Sequence, residues 1–212
     1  MHIALIGATG FIGSAILREA LARGHRVTAL AAHPEKLAPQ ANLEAVRIDV
    51  ADTAALAARL RGHEAVISAF SGHAAADVYG TYVTGIRSII AAARQAGTPR
   101  LLVVGGAGSL EVAPGLQVVD TPEFPEQWKQ SALGAREALK ILRGETALEW
   151  TLLSPSALIS PGQRTGKFRL GGDQLLVDAN GQSAISLEDY AVAMIDELER
   201  PAHSRRRFTV GY

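Results

Sequence analysis

The chain has 212 residues, 48% hydrophobic and 20% charged, with 21 glycines, nine prolines and no cysteine. Such an apolar composition can bury a full core, which excludes a disordered chain, and the balance of 21 basic against 21 acidic residues excludes a blanket attraction to nucleic acid or anionic membrane. The absence of cysteine removes disulfides, thiolate nucleophiles, iron–sulfur clusters and most structural zinc sites together.

Met1-His2-Ile3-Ala4-Leu5-Ile6-Gly7 has no basic stretch ahead of its apolar residues and reaches glycine too soon for a signal peptide. No apolar run approaches the roughly 18 residues that a membrane span needs. A soluble, cytoplasmic protein is expected.

In chain order, short apolar runs alternate with stretches of helical period, as in a parallel sheet with crossover helices. Strands are predicted at His2–Ile6, Arg26–Leu30, Leu43–Ile48, Ala65–Phe70, Arg100–Val104 and Trp150–Leu153. Helices are predicted at Phe11–Arg23, Thr53–Arg61, about Asp77–Ala96 and Glu126–Arg143, with Gly24 and Gly97 placed as terminating glycines. After Ser154 the pattern changes. Phe168–Leu170 and Gln174–Val177 flank a Gly-Gly-Asp turn and predict a hairpin, and Asn180-Gly181 predicts a second hairpin turn before Ser183–Ser186. Ser186 is a capping serine for a helix through about Leu198, and Phe208–Val210 is a last short strand. With no linker and no repeat, residues 1–212 read as one doubly wound, mainly parallel α/β domain, whose substrate side carries a small irregular lobe at 155–187.

The most informative segment is Gly7-Ala8-Thr9-Gly10-Phe11-Ile12-Gly13, directly between the first strand and the first helix. Glycine permits the tight turn and close backbone approach, and the free amides at the positive end of the helix then face a diphosphate. That places Gly7, Thr9, Gly10, Phe11, Ile12 and Gly13 at a dinucleotide.

The Gly-x-x-Gly-x-x-Gly spacing resembles that of the extended and atypical short-chain dehydrogenase/reductases. Arg100–Leu110, Thr151–Pro155, Arg164–Asp173 and Phe208–Tyr212 are similar, over essentially the whole chain, to the bacterial group labelled NADH-flavin reductases, relatives of biliverdin reductase B. The resemblance implies a Rossmann fold and an NAD(P)H-dependent reductase. It further implies that Asp49, with Val50, lies at the adenine, and that Ala69, Phe70 and Ser71 lie beside the nicotinamide ribose. By the same resemblance Gly105 and Gly106 border the cofactor, and Ser154 and Pro155 lie near the nicotinamide carboxamide.

An acid at the end of the second strand would favour NAD(H), and none stands at Leu30–Ala32. His33 and Lys36 are the available donors to a 2′-phosphate, against a reading of Lys36 as a solvated lysine. The balance leans to NADP(H), with NAD(H) open. No tyrosine has a lysine four residues on: Tyr79, Tyr82 and Tyr190 are followed by Val83, Ile86 and Met194, and Tyr212 is last. This argues against tyrosinate-assisted alcohol–ketone chemistry and against sugar-nucleotide epimerisation.

A flavin, quinone or tetrapyrrole-like acceptor needs only hydride, orientation and a dry, flat slot. Ser109, in the position of the superfamily's catalytic serine, and Trp128, which could stack on such an acceptor, are the candidate catalytic residues, although a turn serine and a core tryptophan are competing readings. His73 faces the site in this reading, whereas His2, His25, His63 and His203 read as surface or strand-start residues. No pattern of metal ligands occurs. Arg205-Arg206-Arg207 reads as a solvated run, and Arg164, Lys167 and Arg169 as a basic stripe that either greets an acidic substrate group or only solubilises a loop. A non-catalytic NAD(P)-sensing regulator resembling the NmrA-like proteins is the alternative function, and either a monomer or a homodimer is compatible.

Overall fold

The computed structural model describes all 212 residues, Met1–Tyr212. Twelve strands and five helices follow in the order β1 (His2–Ile6), α1 (Phe11–Ala22), β2 (Arg26–Ala31), β3 (Leu43–Arg47), α2 (Thr53–Leu60), β4 (Ala65–Ser68), α3 (Val78–Ala96), β5 (Arg100–Val104), β6 (Glu111–Ala113) and β7 (Leu116–Gln117). The remainder is α4 (Glu126–Arg143), β8 (Glu149–Ser154), β9 (Leu158–Ser160), β10 (Arg169–Gly171), β11 (Ala184–Ser186), α5 (Leu187–Glu199) and β12 (Arg206–Gly211).

Near-continuous apolar strands need cover on both faces, and here they receive it. Ile3, Leu5, Ile67 and Leu102 pack with Ile16 and Ala20 of α1 and Tyr190 and Met194 of α5. Ala4, Ile6, Val66 and Leu101 pack on the opposite face with Leu56 of α2, Ile86 of α3 and Leu139 of α4. The helix ends obey their local chemistry. Asp52, Asp77 and Ser186 cap α2, α3 and α5 by accepting from Ala55, Gly80 and Asp189 amides. Gly97 closes α3 at φ 67°.

The large sheet runs β3-β2-β1-β4-β5-β8-β12-β10, and every pair is parallel except β10 with β12. The chain therefore leaves β1 towards β2 and β3, then returns to its other side at β4. This is the doubly wound Rossmann arrangement, and the reversal opens a crevice beyond the carboxyl ends of β1 and β4.

Both predicted hairpins are corrected. β10 pairs antiparallel with β12, and Gln174 makes only an isolated bridge to Glu111. β11 pairs parallel with β9, while the Asp178 carboxylate folds Asp178–Gln182 into a local turn by accepting from the Asn180 and Gln182 amides. In each case a strand distant in sequence offers a longer ladder than the near neighbour does. Segment 161–167 is held by Asp189 of α5, which accepts from the Thr165 and Gly166 amides, the Thr165 hydroxyl and the Tyr212 phenol. Burial pushes the Asp189 carboxyl up, but these donors outweigh it and hold the group below the usual carboxylate range. No helix is long and apolar enough to cross a membrane.

Candidate dinucleotide site

The crevice floor is built by backbone. Gly7 donates to the Leu30 carbonyl at 2.8 Å and Ala69 to Ile6 at 2.9 Å, which locks the ends of β1, β2 and β4 together. Gly7 has φ +79°, and a Cβ there would stand 2.7 Å from the Ala69 carbonyl oxygen. A Cβ on Gly13 would stand 2.1 Å from the Gly7 carbonyl oxygen, whereas one on Gly10 would meet that oxygen at a tolerable 3.3 Å. Two of the three glycines are thus required by close approach.

Gly10 caps α1 without any side-chain hydrogen bond, and the Phe11, Ile12 and Gly13 amides donate to nothing within the protein. Such amides, at the positive end of a twelve-residue helix and beside a turn no side chain can fill, fit a diphosphate. Thr9 is half-buried, and Phe11 exposes its ring at the mouth.

The other sequence candidates arrange themselves around this loop. Asp49, exposed, uses Oδ1 to accept from the Ala51 amide, and the Val50 carbonyl accepts from the Ser88 hydroxyl at 2.6 Å. The Phe70 ring is aimed at α3, where a Cβ on Gly85 would be 2.2 Å from it, so Phe70 meets the loop through backbone. Ser71 is half-buried on the same loop. Gly105 donates to the Leu153 carbonyl at 2.8 Å, tying the β5 and β8 ends, and a Cβ on Gly106 would touch Ala135 of α4 at 3.0 Å. His33 and Lys36 lie exposed past β2.

Trp128 is not a core tryptophan. It is 53% exposed on the first turn of α4, with the His73 ring edge-on to it at 6.2 Å and 84°. Helices that follow strands in such a sheet begin at its carboxyl edge, so this aromatic pair stands on the crevice side. Ser109 is buried, and its hydroxyl accepts from Arg207 at 3.3 Å. Ser154 is fully buried, its hydroxyl accepting from Arg207 at 3.4 Å and its carbonyl from Thr209 at 2.9 Å, with Pro155 buried after it.

Arg207 is the residue the sequence reading placed wrongly. Its side chain is 2% exposed, and it lies against Asp173, donating from Nε at 2.7 Å and also from Nη2. Burial pulls the guanidinium below its usual range, against the opposing pull of Asp173. The basic stripe also dissolves into structure: Arg164 makes a bidentate pair with Glu19 of α1 at 2.8 Å, and Arg169 donates to the Val177 and Tyr212 carbonyls, leaving only Lys167 free. Hydrogen bonds from Arg164 hold the Glu19 carboxyl below its usual range.

His25 and His63 are buried as well, paired respectively with Glu199 at 2.9 Å and with Thr28 at 3.0 Å. Of the tyrosines, Tyr82 donates to the Val104 carbonyl and Tyr190 to the Leu153 carbonyl, and burial pushes the Tyr82 phenol up to about 12. Neither presents a hydroxyl to the crevice.

With this geometry in place, comparison with known proteins gives a coherent family. Residues 7–201 match the family model described as NAD(P)H-binding. A provisionally named epimerase from Bacteroides thetaiotaomicron is 45% identical, with a TM-score of 0.93 over 100% of this chain and 96% of that one. A protein of Burkholderia pseudomallei, provisionally described as exported, is 46% identical, with a TM-score of 0.91 over 100% of both chains. A provisionally named NADH-flavin reductase from Streptococcus pneumoniae is 33% identical, with a TM-score of 0.82 over 100% of this chain and 99% of that one. The three names differ where the fold does not.

Proposed function

The chain belongs to the NAD(P)H-binding family, and from that premise we propose that it is a reductase passing hydride from NAD(P)H to a flavin, quinone or similar conjugated acceptor. The observation that carries this reading is the exposed Trp128–His73 pair over the crevice, in a fold where the Tyr82 and Tyr190 hydroxyls are spent on backbone carbonyls and no tyrosine has a lysine four residues on. Such an acceptor takes up two electrons and one proton with the hydride and a second proton from water, so no side-chain acid is required. A sugar epimerase or alcohol dehydrogenase would require one.

In this reading the bound cofactor supplies the hydride. The Phe11, Ile12 and Gly13 amides hold its diphosphate, and the loop from Ala69 to Ser71 together with Gly105 and Gly106 sets the nicotinamide end. Asp49 and Val50 border the adenine. Trp128 orients the acceptor ring and excludes water from one face of it. Ser109 and Ser154 lie beneath the carboxamide end, their buried hydroxyls each accepting from Arg207. We read residues 1–212 as one domain whose 155–187 segment closes the substrate side, with NADP(H) preferred and the cytoplasm, where that reductant is regenerated, as the location.

The decisive experiment is a steady-state assay with NADPH or NADH and a panel of FMN, riboflavin and quinones. Turnover with at least one acceptor is expected. Tight cofactor binding with no oxidation by any of them would refute the reductase reading and leave a cofactor sensor.

A further inference from the structure

Past the end of β2 the chain builds a charged cluster that the glycine-loop motif does not announce. Arg47, the last residue of β3, lies beside Ala31 in the parallel register, and its guanidinium crosses over the end of β2. Nη1 donates to the Ala32 carbonyl at 2.5 Å, and Nη2 to Glu35 Oε2 at 2.9 Å. The other oxygen of Glu35 meets His33 Nδ1 at 3.0 Å. All three side chains are more than half exposed. Exposed pairs of this kind are individually weak, and what the strand register supplies is the placement of the Arg47 guanidinium over the Ala32 carbonyl, within reach of Glu35.

The place matters as much as the chemistry. Because Gly7 is bonded to Leu30 and Ile48 to Ala31, the backbone under the cluster is joined to the glycine loop. The end of the second strand is where the adenosine ribose of a dinucleotide lies. The Glu35 carboxylate thus sits as an anion between two cationic or polarised donors, one strand over from a diphosphate site.

We infer that Glu35 occupies the seat of a 2′-phosphate, and that Arg47, from β3, is the cation that decides whether one is accepted. This inference rests on the dinucleotide reading above. A phosphate monoester carries about twice the charge of a carboxylate and three acceptor oxygens, so it competes successfully for Arg47 and His33. Displaced, Glu35 turns to solvent, and Lys36 next to it forms no competing ion pair within the protein. With NADH bound, Glu35 keeps its seat and accepts from the ribose hydroxyl. One cluster therefore serves both cofactors, with opposite residues in command.

The test is equilibrium binding of NADPH and NADH, by calorimetry, to wild type, Arg47→Ala, Arg47→Gln and Glu35→Gln, each checked for an unchanged unfolding temperature. Arg47→Ala and Arg47→Gln are expected to weaken NADPH about tenfold or more while leaving NADH within about twofold. Glu35→Gln is expected to tighten NADPH several-fold and weaken NADH. If wild type binds both dinucleotides but the Arg47 variants shift both equally or neither, or if Glu35→Gln weakens NADPH, the inference is overturned and the dinucleotide reading survives. If wild type binds neither dinucleotide, the dinucleotide reading itself falls and takes the inference with it.

Discussion

Arg207 and Asp173 form a pair of unequal members, and the inequality can be measured. The arginine side chain is 2% exposed and that of its partner 48%. Asp173→Asn leaves a guanidinium charge buried with a neutral acceptor. Stripping one partner from a buried charge costs about 3–5 kcal/mol, and the carbonyl that asparagine retains puts this case near the low end, about 3. Arg207→Met is milder. Methionine keeps the apolar stem, Asp173 can be rehydrated, and it still has Arg143 at 3.1 Å. The bonds lost to Ser109 and Ser154 are long, at 3.3 and 3.4 Å, so about 1 kcal/mol is expected. In a chain of this length each kcal/mol moves Tm by roughly 2–4 °C, which predicts a fall of about 6–12 °C for Asp173→Asn and about 2–4 °C for Arg207→Met. The double variant should resemble Arg207→Met, because the stranded charge is gone. Differential scanning calorimetry of the three proteins at pH 7 settles it. If Arg207→Met falls as far as Asp173→Asn, the reasoning from stranded charge is wrong.

Three further outcomes follow from the same geometry. Gly13→Ala drives a methyl against the Gly7 carbonyl at 2.1 Å, so it should abolish NADPH binding in a fluorescence titration, while Gly10→Ala, with 3.3 Å of room, should retain it within about tenfold. Trp128→Ala should raise KM for a flavin or quinone several-fold, leaving the Kd of NADPH unchanged, and a shift in that Kd instead would remove Trp128 from the acceptor side. Asp189 and Glu19 both have carboxyls held below their usual range, so their stabilisation is present above the unfolded value near 4 and is lost as pH falls through the lower folded values. Tm should therefore hold steady from pH 7 to about 5 and drop below about 4, with Asp189→Asn lower at neutral pH and flatter in acid; a parallel curve for the variant would refute the assignment.

The parallel half of the molecule was legible because its signals are local. A buried parallel strand is a run of apolar residues, and a glycine loop needs only its flanking strand and helix to be recognised. What the sequence hid depends on pairings across distance. Arg47 lies 14 positions beyond His33, and only the β2–β3 register brings it over Ala32. Arg207 looked like part of a solvated triplet because β12 could not be seen to begin before Phe208; on a strand, alternation sends Arg206 and Arg207 to opposite faces. The chain does bend at Gly172 and Asp173, but β12 outcompetes the near strand as a partner for β10. Trp128 shares a helical stripe with buried Ala132 and Ala135, which suggests a core residue. It stands instead exposed on the first turn of α4, edge-on to His73.

The two helices that cover one face of the sheet lie at opposite ends of the chain. α1 ends at Ala22 and α5 begins at Leu187, yet Arg23 reaches Asp196 and Glu199 at 2.7 and 2.9 Å, and both helices share one apolar cluster. On the ribosome, 164 residues lie between them. At about 5–20 residues per second, the inner side of α1 waits roughly 8–33 s for its cover. The opposite face, with α2, α3 and α4 following one another closely, closes during that wait. Nascent chains of this protein should therefore be half-finished molecules with one dry face and one wet one, and chaperone contacts should concentrate on Ile16, Leu17 and Ala20 until α5 arrives.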